Sequence, residues 1–403
     1  MLKLLYHKYA LLIIYLGVLF LVCIGLTYGY GFKHINKVLF YALFFLIFYF
    51  LIKGYLKNKN ITAFKYKIIC NKLILDYSLL LFIILFVIIH LIFLNNIPCI
   101  TAWKTLDYYK IAFIRQSINE HNNVLIKYIS SFMIKGIIPF AVLYFYTQNK
   151  KSFYIILPVA IFYSLALMQK SLIITILIPL IVWLILNKQF VKSLILLGVS
   201  IVGMFFLVYT TNPNLRATSI EINEAIRTSP YKRFYNNENF KNGGFIEAGD
   251  AVYTRFFLTT GLVAGHWFEK IPSQFPYAKG CGYHFLAPLM GCNFNDYDYS
   301  KIIYNAVYLK EKKIGLKGTV TVASFVYDYA NFGYYGLIVS AFLLAMLINL
   351  LNIIFLNNYK WNVSLNFLFI FWLSSGALST LLFSGGWLIT ILLFVIYVPA
   401  VKD

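Results

Sequence analysis

The sequence predicts an all-α polytopic membrane protein with about ten transmembrane helices and one large, partly helical loop before the last three. Three observations predict this class. Hydrophobic residues make up 61% of the 403 residues and charged residues only 12%, unlike a soluble globular protein. Several apolar runs reach the roughly 20 residues that cross a bilayer core. Lysine is concentrated in short loops on one side of these runs, as the positive-inside rule requires.

Ten apolar segments are candidate spans. The first, 11–30, follows a basic N-terminus, but its apolar region is long and no small-residue cleavage site follows it, so we expect an uncleaved span. The others are about 36–52, 73–94, 129–148, 153–169, 172–187, 193–210, 326–355, 363–382 and 386–400. Very short connections within 153–187 and 363–400 are typical of tight helical hairpins.

The lysines also predict an orientation. With the N-terminus inside, the cytoplasmic side holds 14 lysines and a single acid, Asp403, whereas the short outer connections hold only Lys33, Lys37 and Lys170. We therefore expect both termini in the cytoplasm. The net charge of +21 is mostly this lysine collar, which faces anionic lipid headgroups rather than nucleic acid.

The same reasoning divides the chain into three parts. Residues 1–210 hold helices 1–7 with an outer loop at 95–128, residues 211–318 form the large outer loop, and residues 319–403 hold helices 8–10. In the large loop, Thr218 or Ser219 ahead of Glu221 signals a helix start. The segment 251–272 is apolar on one face but short for a span, which predicts an interfacial or re-entrant helix. The amphipathic stretch 108–129 is expected along the outer surface.

Arginine is confined to the two polar outer loops, and lysine is the basic residue everywhere else. The guanidinium group is a rigid fork that clamps phosphate or carboxylate, whereas lysine is a flexible point charge. Loops hold most charges in any membrane protein, so one loop arginine carries little information. Together the five indicate an anionic ligand at one face of the membrane: Arg115, Arg216, Arg227, Arg233 and Arg255.

His266 is the candidate catalytic base and Arg255 its candidate partner. If 251–272 is a continuous helix, the two lie about three turns apart on one face, an arrangement suited to anion binding with proton transfer. The alternative is an interfacial pair of His266 with Trp267, since tryptophan anchors helices at interfaces. His284 is a second candidate base or substrate-binding residue, and His121 a weaker one.

Ionisable residues inside the predicted spans are also candidates, because such residues are costly in lipid and often functional. Lys135 and Lys170 lie near outer helix ends, where they can snorkel or line a positive cavity that binds substrate. The full set is Asp76, His90, Lys135, Lys170 and Asp328.

Recognisable cofactor motifs are missing from the sequence. It has no P-loop, no dinucleotide-binding glycine pattern, no H-E-x-x-H and no CxxC pair, which argues against a nucleotide-driven pump or a zinc protease. Asp296 and Asp298 form a D-x-D motif, which fits either a divalent cation or a solvated turn. We expect no cofactor and no metal. Cys281 and Cys292 either form a disulfide around a small loop or remain two free thiols.

Three stretches resemble a known family. They are R-F-F…H-W-F-E-K-I-P…G from Arg255 to Gly282, YNAVYLKEKKIGLKGT at 304–319 and ASFVYDYANFGYYG at 323–336. Their order resembles that of bacterial O-antigen or capsule repeat-unit polymerases of the Wzy type. The plan of ten or more spans with one dominant outer loop before the last helices is similar as well.

The resemblance implies a metal-independent, GT-C-like inner-membrane glycosyltransferase. Its substrates would be undecaprenyl-diphosphate-linked oligosaccharides, joined at the periplasmic face, with membrane lipids and a chain-length regulator as partners. The family's loop arginines map onto Arg216 and Arg255, and Arg115, Lys170, Arg233 and His284 complete the predicted substrate-binding set. Because the family has no fixed base, His266 rests on the residues alone. A lipid-linked oligosaccharide flippase or transporter and an O-antigen ligase remain alternatives.

Overall fold

The regular secondary structure is entirely helical within the described residues, which confirms the predicted class. The computed structural model describes residues 9–57, 72–94, 97–119, 124–168, 171–230, 253–356 and 358–398. In the first half lie α1 Ala10–Tyr30, α2 Ile35–Lys57, α3 Lys72–Phe93, α4 Pro98–Trp103, α5 Tyr108–Asn119, α6 Val124–Phe132, α7 Ile138–Gln148, α8 Lys150–Ala166, α9 Leu172–Leu186 and α10 Phe190–Thr211. There follow α11 Ser219–Thr228, α12 Thr259–Lys270, α13 Tyr299–Val307, α14 Leu309–Ile314, α15 Ser324–Phe332, α16 Tyr334–Ile354, α17 Tyr359–Trp372, α18 Leu378–Leu382 and α19 Trp387–Tyr397.

Seven helices of the described chain are long and apolar enough to cross a membrane. They are Ala10–Tyr30, Ile35–Lys57, Lys72–Phe93, Tyr128–Gln148, Phe190–Thr211, Tyr334–Ile354 and Leu378–Tyr397. The chain is therefore a polytopic membrane protein. Three of the ten predicted segments form shorter helices, α8, α9 and α17, of 17, 15 and 14 residues. The count of ten crossings stays a prediction.

Two of the predicted spans are interrupted. In 326–355 the helix breaks at Gly333, where φ is 63°, a conformation that glycine adopts without steric cost. The short helix α15 folds back against the start of α16, so a Cβ at Gly336 would lie 2.1 Å from the carbonyl oxygen of Asp328. In 363–382 the helix ends at Trp372 and resumes at α18. The apolar composition of a segment does not predict where its helix is interrupted.

Packing between helices follows their apolar faces. Helices α2 and α16 run side by side in the same direction, with Phe40 contacting Tyr334 and Phe48 contacting Phe342 at ring-centroid distances of 5.3 and 5.5 Å. Helix α9 is apolar on every side and packs among α7, α10 and α17. A helix of that composition belongs in the interior of a bundle.

Helix α12 packs lengthwise against the end of α1 through paired glycines. Gly25 and Gly29 on α1 and Gly261 and Gly265 on α12 each have the G-x-x-x-G spacing that lets membrane helices approach closely. A Cβ at Gly261 would lie 2.3 Å from the carbonyl oxygen of Val22, and one at Gly25 would lie 2.3 Å from that of Leu258. The two helices run in the same direction, so α12 ends where α1 ends. We call this end of the bundle the loop face.

The loop 275–298 is closed by a disulfide between Cys281 and Cys292, so the two-thiol alternative is excluded. The loop is fixed to α15 by side chains of that helix. The backbone N–H of Gly282 donates to Asn331 Oδ1 at 3.1 Å, and the Tyr327 hydroxyl donates to the carbonyl of Gly282. The bridged loop is thus a built part of the loop face.

Candidate functional site

His266 is held at the loop face by the glycine contact between α1 and α12. Its Nδ1 atom shares a hydrogen bond of 2.6 Å with the hydroxyl of Tyr30, the last residue of α1. The two rings meet edge to face with centroids 5.7 Å apart. Gly265 makes this possible, because a Cβ there would lie 2.2 Å from the Tyr30 ring.

The turn between α1 and α2 brings two lysines beside α12. Lys33 Nζ forms an ion pair of 3.1 Å with Glu269 Oε1. Lys37 Nζ lies 4.6 Å from the ring centroid of Phe268 and 4.7 Å from that of Tyr329. A cation between two aromatic faces is held in place while it keeps its charge.

A second histidine, His34, lies in the same turn. Its ring packs between Tyr30 and Phe268, at centroid distances of 5.9 and 5.7 Å. Its side chain is buried, and within the described residues its Nε2 atom has no hydrogen-bond partner. A buried polar atom of this kind is costly unless a ligand or water satisfies it.

The surroundings hold both histidines neutral near pH 7. Burial, and next the charge of Lys270, lower the pKa of His266. Burial also lowers the pKa of His34, and the charges of Lys37 and Lys33 lower it further. We define the loop-face site as Tyr30, Lys33, His34, Lys37 and His266. It combines neutral imidazoles with a surplus of positive charge, which suits an anionic ligand and a proton acceptor.

Arg216 is hydrogen-bonded to the protein backbone, and its place in the substrate-binding set stays a prediction. Its guanidinium donates to three backbone carbonyls, those of Ala102, Trp103 and Thr105, and lies 5.5 Å from the Trp103 ring. The carbonyls of Ala102 and Trp103 lie in the last turn of α4, where C=O groups lack the usual helical partner, and that of Thr105 follows the helix. The structure therefore assigns Arg216 to capping α4.

Nearby, Asp107 also binds the protein itself. Its Oδ1 atom accepts from the backbone N–H groups of Tyr109 and Lys110 at 3.0 and 3.1 Å, and its Oδ2 atom accepts from the hydroxyl of Ser229 at 2.5 Å. We call Arg216, Asp107 and Ser229, with the end of α4, the Arg216 clamp. It ties the segment 98–110 to the segment after α10.

The remaining predicted residues are spread over several elements. Arg115 is exposed on α5, and His284 is exposed on the bridged loop, 5.2 Å from the Phe294 ring. In the described part of the chain, His266, Arg216 and His284 share no hydrogen bond and contact different elements. Arg233, Lys170 and His121 lie outside the described residues.

Arg255 is described only by its backbone, and its side chain lies outside the described residues. That backbone lies in a π-helical turn, Thr254–Leu258, immediately before α12. The continuous α-helix that placed Arg255 and His266 on one face is therefore interrupted, because a π turn contains more residues per turn than an α turn. Lys270 lies on the same helix as His266, and Lys33 and Lys37 contact Glu269 and Phe268 of that helix.

The ionisable residues inside the bundle are paired with aromatic side chains. The Tyr144 hydroxyl donates to Asp76 Oδ1 at 2.7 Å, and the Tyr283 hydroxyl donates to Asp328 Oδ1. His90 Nδ1 shares a hydrogen bond with the Tyr163 hydroxyl, and Lys135 Nζ lies 5.9 Å from the Trp372 ring. These contacts fit a structural role, since buried charges need partners.

The D-x-D motif forms local contacts only. Asp298 Oδ2 forms an ion pair of 2.9 Å with Lys301, and Oδ1 accepts from the Ser300 hydroxyl at 2.5 Å. Across the residues that the structure describes, no group of three or more His, Cys, Asp or Glu side chains is arranged to hold a metal ion.

Sequence reasoning missed four members of the site, Tyr30, Lys33, His34 and Lys37. They lie more than 200 residues from His266 in the chain. One signal was present, namely the G-x-x-x-G spacing at Gly25 and Gly29 and again at Gly261 and Gly265. Matching small-residue motifs on two apolar segments predict that those segments pack together.

Comparison of the chain with known protein families, with curated proteins and with solved structures gives no match. The resemblance to repeat-unit polymerases therefore remains an expectation drawn from the sequence.

Proposed function

We propose that this protein is a membrane glycosyltransferase that joins undecaprenyl-diphosphate-linked oligosaccharide repeat units at the loop face, as an O-antigen or capsule polymerase does. One observation gives the proposal its main support. A half-buried His266 with a lowered pKa lies at one end of a helical bundle, on the helix whose Phe268 and Glu269 contact Lys37 and Lys33. A lipid-anchored diphosphate would present its charge at that depth while its chain stays in the bilayer.

The donor half of the reaction requires charge neutralisation. Attack on the anomeric carbon breaks its bond to the diphosphate oxygen, and the diphosphate leaves with the bonding electrons. Positively charged donors stabilise this leaving group through charge-assisted hydrogen bonds. Lys33 and Lys37 supply the charge in this proposal, and Arg255 joins them if its side chain turns toward α1.

The acceptor half requires a base for the attacking hydroxyl. If His266 donates its Nδ1–H to the Tyr30 oxygen, Nε2 is the unprotonated nitrogen that accepts the hydroxyl proton. The lowered pKa of His266 keeps that nitrogen unprotonated at neutral pH. Tyr30 is then a positioning residue that fixes the tautomer.

The proposed topology follows the lysine distribution. Both termini would lie in the cytoplasm of a bacterial inner membrane, with ten crossings that include α8, α9 and α17 and with the loop face in the periplasm. The Cys281–Cys292 bridge supports this orientation, because disulfides persist in oxidising compartments. A chain-length regulator would contact the protein from the same side.

The proposal is tested by supplying the purified protein with lipid-linked repeat units and no energy source. We expect longer lipid-linked glycans, in the presence of EDTA as well, and a large loss of product with His266→Gln. Transfer only to a lipid A core acceptor would indicate a ligase. Movement of lipid-linked units across vesicles without elongation would indicate a flippase, and either outcome overturns the polymerase proposal.

A further inference from the structure

A cavity of about 390 Å³, lined by both polar and apolar residues, lies at the end of the bundle opposite the loop face. It opens between the last turns of α2 and α16 and the start of α17. Its volume falls within the usual range of small-molecule sites. It is separate from the loop-face site, because α2 and α16 run from one end of the bundle to the other.

At the floor of the cavity, three asparagine side chains are joined by hydrogen bonds in which each amide NH₂ group donates to the next amide oxygen. The Trp387 indole N–H donates to Asn366 Oδ1 at 2.6 Å, Asn366 Nδ2 donates to Asn362 Oδ1 at 2.9 Å, and Asn362 Nδ2 donates to Asn352 Oδ1 at 2.9 Å. An indole N–H can only donate. It therefore fixes the orientation of each amide in turn and leaves the NH₂ group of Asn352 as a donor at the cavity.

Two lysines on one face of α2 add positive charge. Lys53 and Lys57 are four residues apart, so they lie on the same side of the helix and repel each other. Lys53 Nζ lies over the Tyr9 ring at 3.2 Å from its centroid. None of the described residues that line the cavity is acidic. Two cations and an oriented amide donor together favour an anionic group with several acceptor oxygens.

The rest of the wall is apolar and reaches the side of the bundle. Leu56, Ile353 and Leu356 line it, and Leu356 is 53% exposed. An ion with no apolar part would leave this surface unused. An amphiphile would place its charged group on the lysines and its chain along the leucines.

We propose that this cavity binds the phosphate group of an anionic membrane lipid, with Lys57 and Asn352 on the phosphate oxygens, Lys53 adding positive charge from its place against the Tyr9 ring, and the acyl chains along Leu56 and Leu356. This site would be independent of the reaction at the loop face. It would hold the C-terminal ends of α2 and α16 at one leaflet of the membrane.

The test measures the Kd of the full-length protein in neutral detergent for three probes. These are a short-chain phosphatidylglycerol, a phosphatidylcholine with the same chains, and inorganic phosphate. The main variant is K53Q/K57Q, and the matched control is K150Q/K151Q, an exposed lysine pair at the start of α8 outside the cavity. Asn352→Leu removes the amide donor at nearly constant size.

We expect K53Q/K57Q to raise the Kd for phosphatidylglycerol by about ten-fold or more, as the loss of charge-assisted hydrogen bonds implies. Asn352→Leu should raise it by a smaller factor, and K150Q/K151Q should leave it within about two-fold of the unmodified protein. An equal loss in both lysine pairs would show diffuse attraction and overturn the proposal. Inorganic phosphate binding as tightly as the lipid, or phosphatidylcholine binding equally well, would also overturn it. Unchanged thermal unfolding of K53Q/K57Q separates loss of binding from loss of folding.

Discussion

The Arg216 clamp and the loop-face site both carry charged groups, but they use them in opposite ways. In the clamp, Arg216 and Asp107 are bound by backbone groups and by Ser229. In the loop-face site, His34 keeps a buried nitrogen without a partner in the described chain, and the cations exceed the acids. Charge alone therefore does not identify a functional site. A functional site is identified by which donors and acceptors remain unpaired within the protein and by which are already bound to it.

The glycine contact between α1 and α12 provides the strongest test of this difference, since only the loop-face site depends on it. Gly261→Ala would push a Cβ into the backbone of Val22 and Leu26, at 2.3 and 2.4 Å from their atoms. Backbone cannot move aside as a side chain can, so we expect a loss of about 1–3 kcal/mol or more in stability and loss of glycan elongation. Thermal unfolding in detergent and the elongation assay measure the two effects.

The control is Gly17→Ala on α1, the helix that packs against α12, where a Cβ would meet nothing within 4 Å. It should leave both stability and elongation intact. Equal damage from the two substitutions would mean that close packing of α12 on α1 is not what builds the site.

Arg216 should matter for stability rather than for the reaction. Arg216→Ala leaves three carbonyls at the end of α4 without their donor, and we expect a loss of about 1–2 kcal/mol, since the side chain is partly exposed. Arg216→Lys should recover only part of this, because lysine lacks the fork. Arg227→Ala, at an exposed position on α11, should stay within about 0.5 kcal/mol.

A kinetic measurement on the Arg216 variants separates a structural role from substrate binding. The KM for the lipid-linked substrate should be unchanged in Arg216→Ala once the protein is folded. A large rise in KM with normal stability would return Arg216 to the substrate-binding set.

The pKa of His266 makes a prediction about pH. Its folded pKa is lowered, so as the pH falls below the ordinary value of about 6.5 the unfolded chain binds protons more readily than the folded one. The contribution of His266 to the free energy of unfolding should therefore be fully present above this pH and decrease below it. His34 contributes with the same sign. His266→Gln should flatten the slope of unfolding midpoint against pH.

The smallest effect is expected at the ion pair of Lys33 with Glu269. Its side chains are 60% and 47% exposed, and exposed pairs contribute about 0.2–1 kcal/mol at most. Glu269→Gln should barely change stability, and it should slightly lower the KM for an anionic substrate because a negative charge is removed. A strong loss of elongation in this variant would give Glu269 a direct part in the reaction.

Much of the fold could be predicted from the sequence. Hydrophobicity reports long apolar helices directly, and the Thr218–Glu221 capping box is present as its residues indicate. The break at Gly333 and the end of α17 at Trp372 were not predicted, because composition reports apolar character and not where a helix bends.

The site was only partly predictable. His266 was a candidate from its place on an amphipathic segment, but its partners come from the distant turn after α1. Contacts between residues so far apart depend on helix packing, which a single sequence indicates only weakly. The backbone hydrogen bonds of Arg216 were not predicted, since nothing in the sequence tells whether a guanidinium will cap a helix or meet a ligand.

The most direct measurement of the central claim is the pH dependence of elongation by the purified protein, compared with His266→Gln and Lys37→Gln. The account predicts that His266→Gln lowers kcat by about 10²–10⁴-fold with little change in KM and abolishes the acid limb of the pH profile. It predicts that Lys37→Gln chiefly raises the KM. Full activity in both variants, with the acid limb intact, would contradict a reaction at the loop-face site.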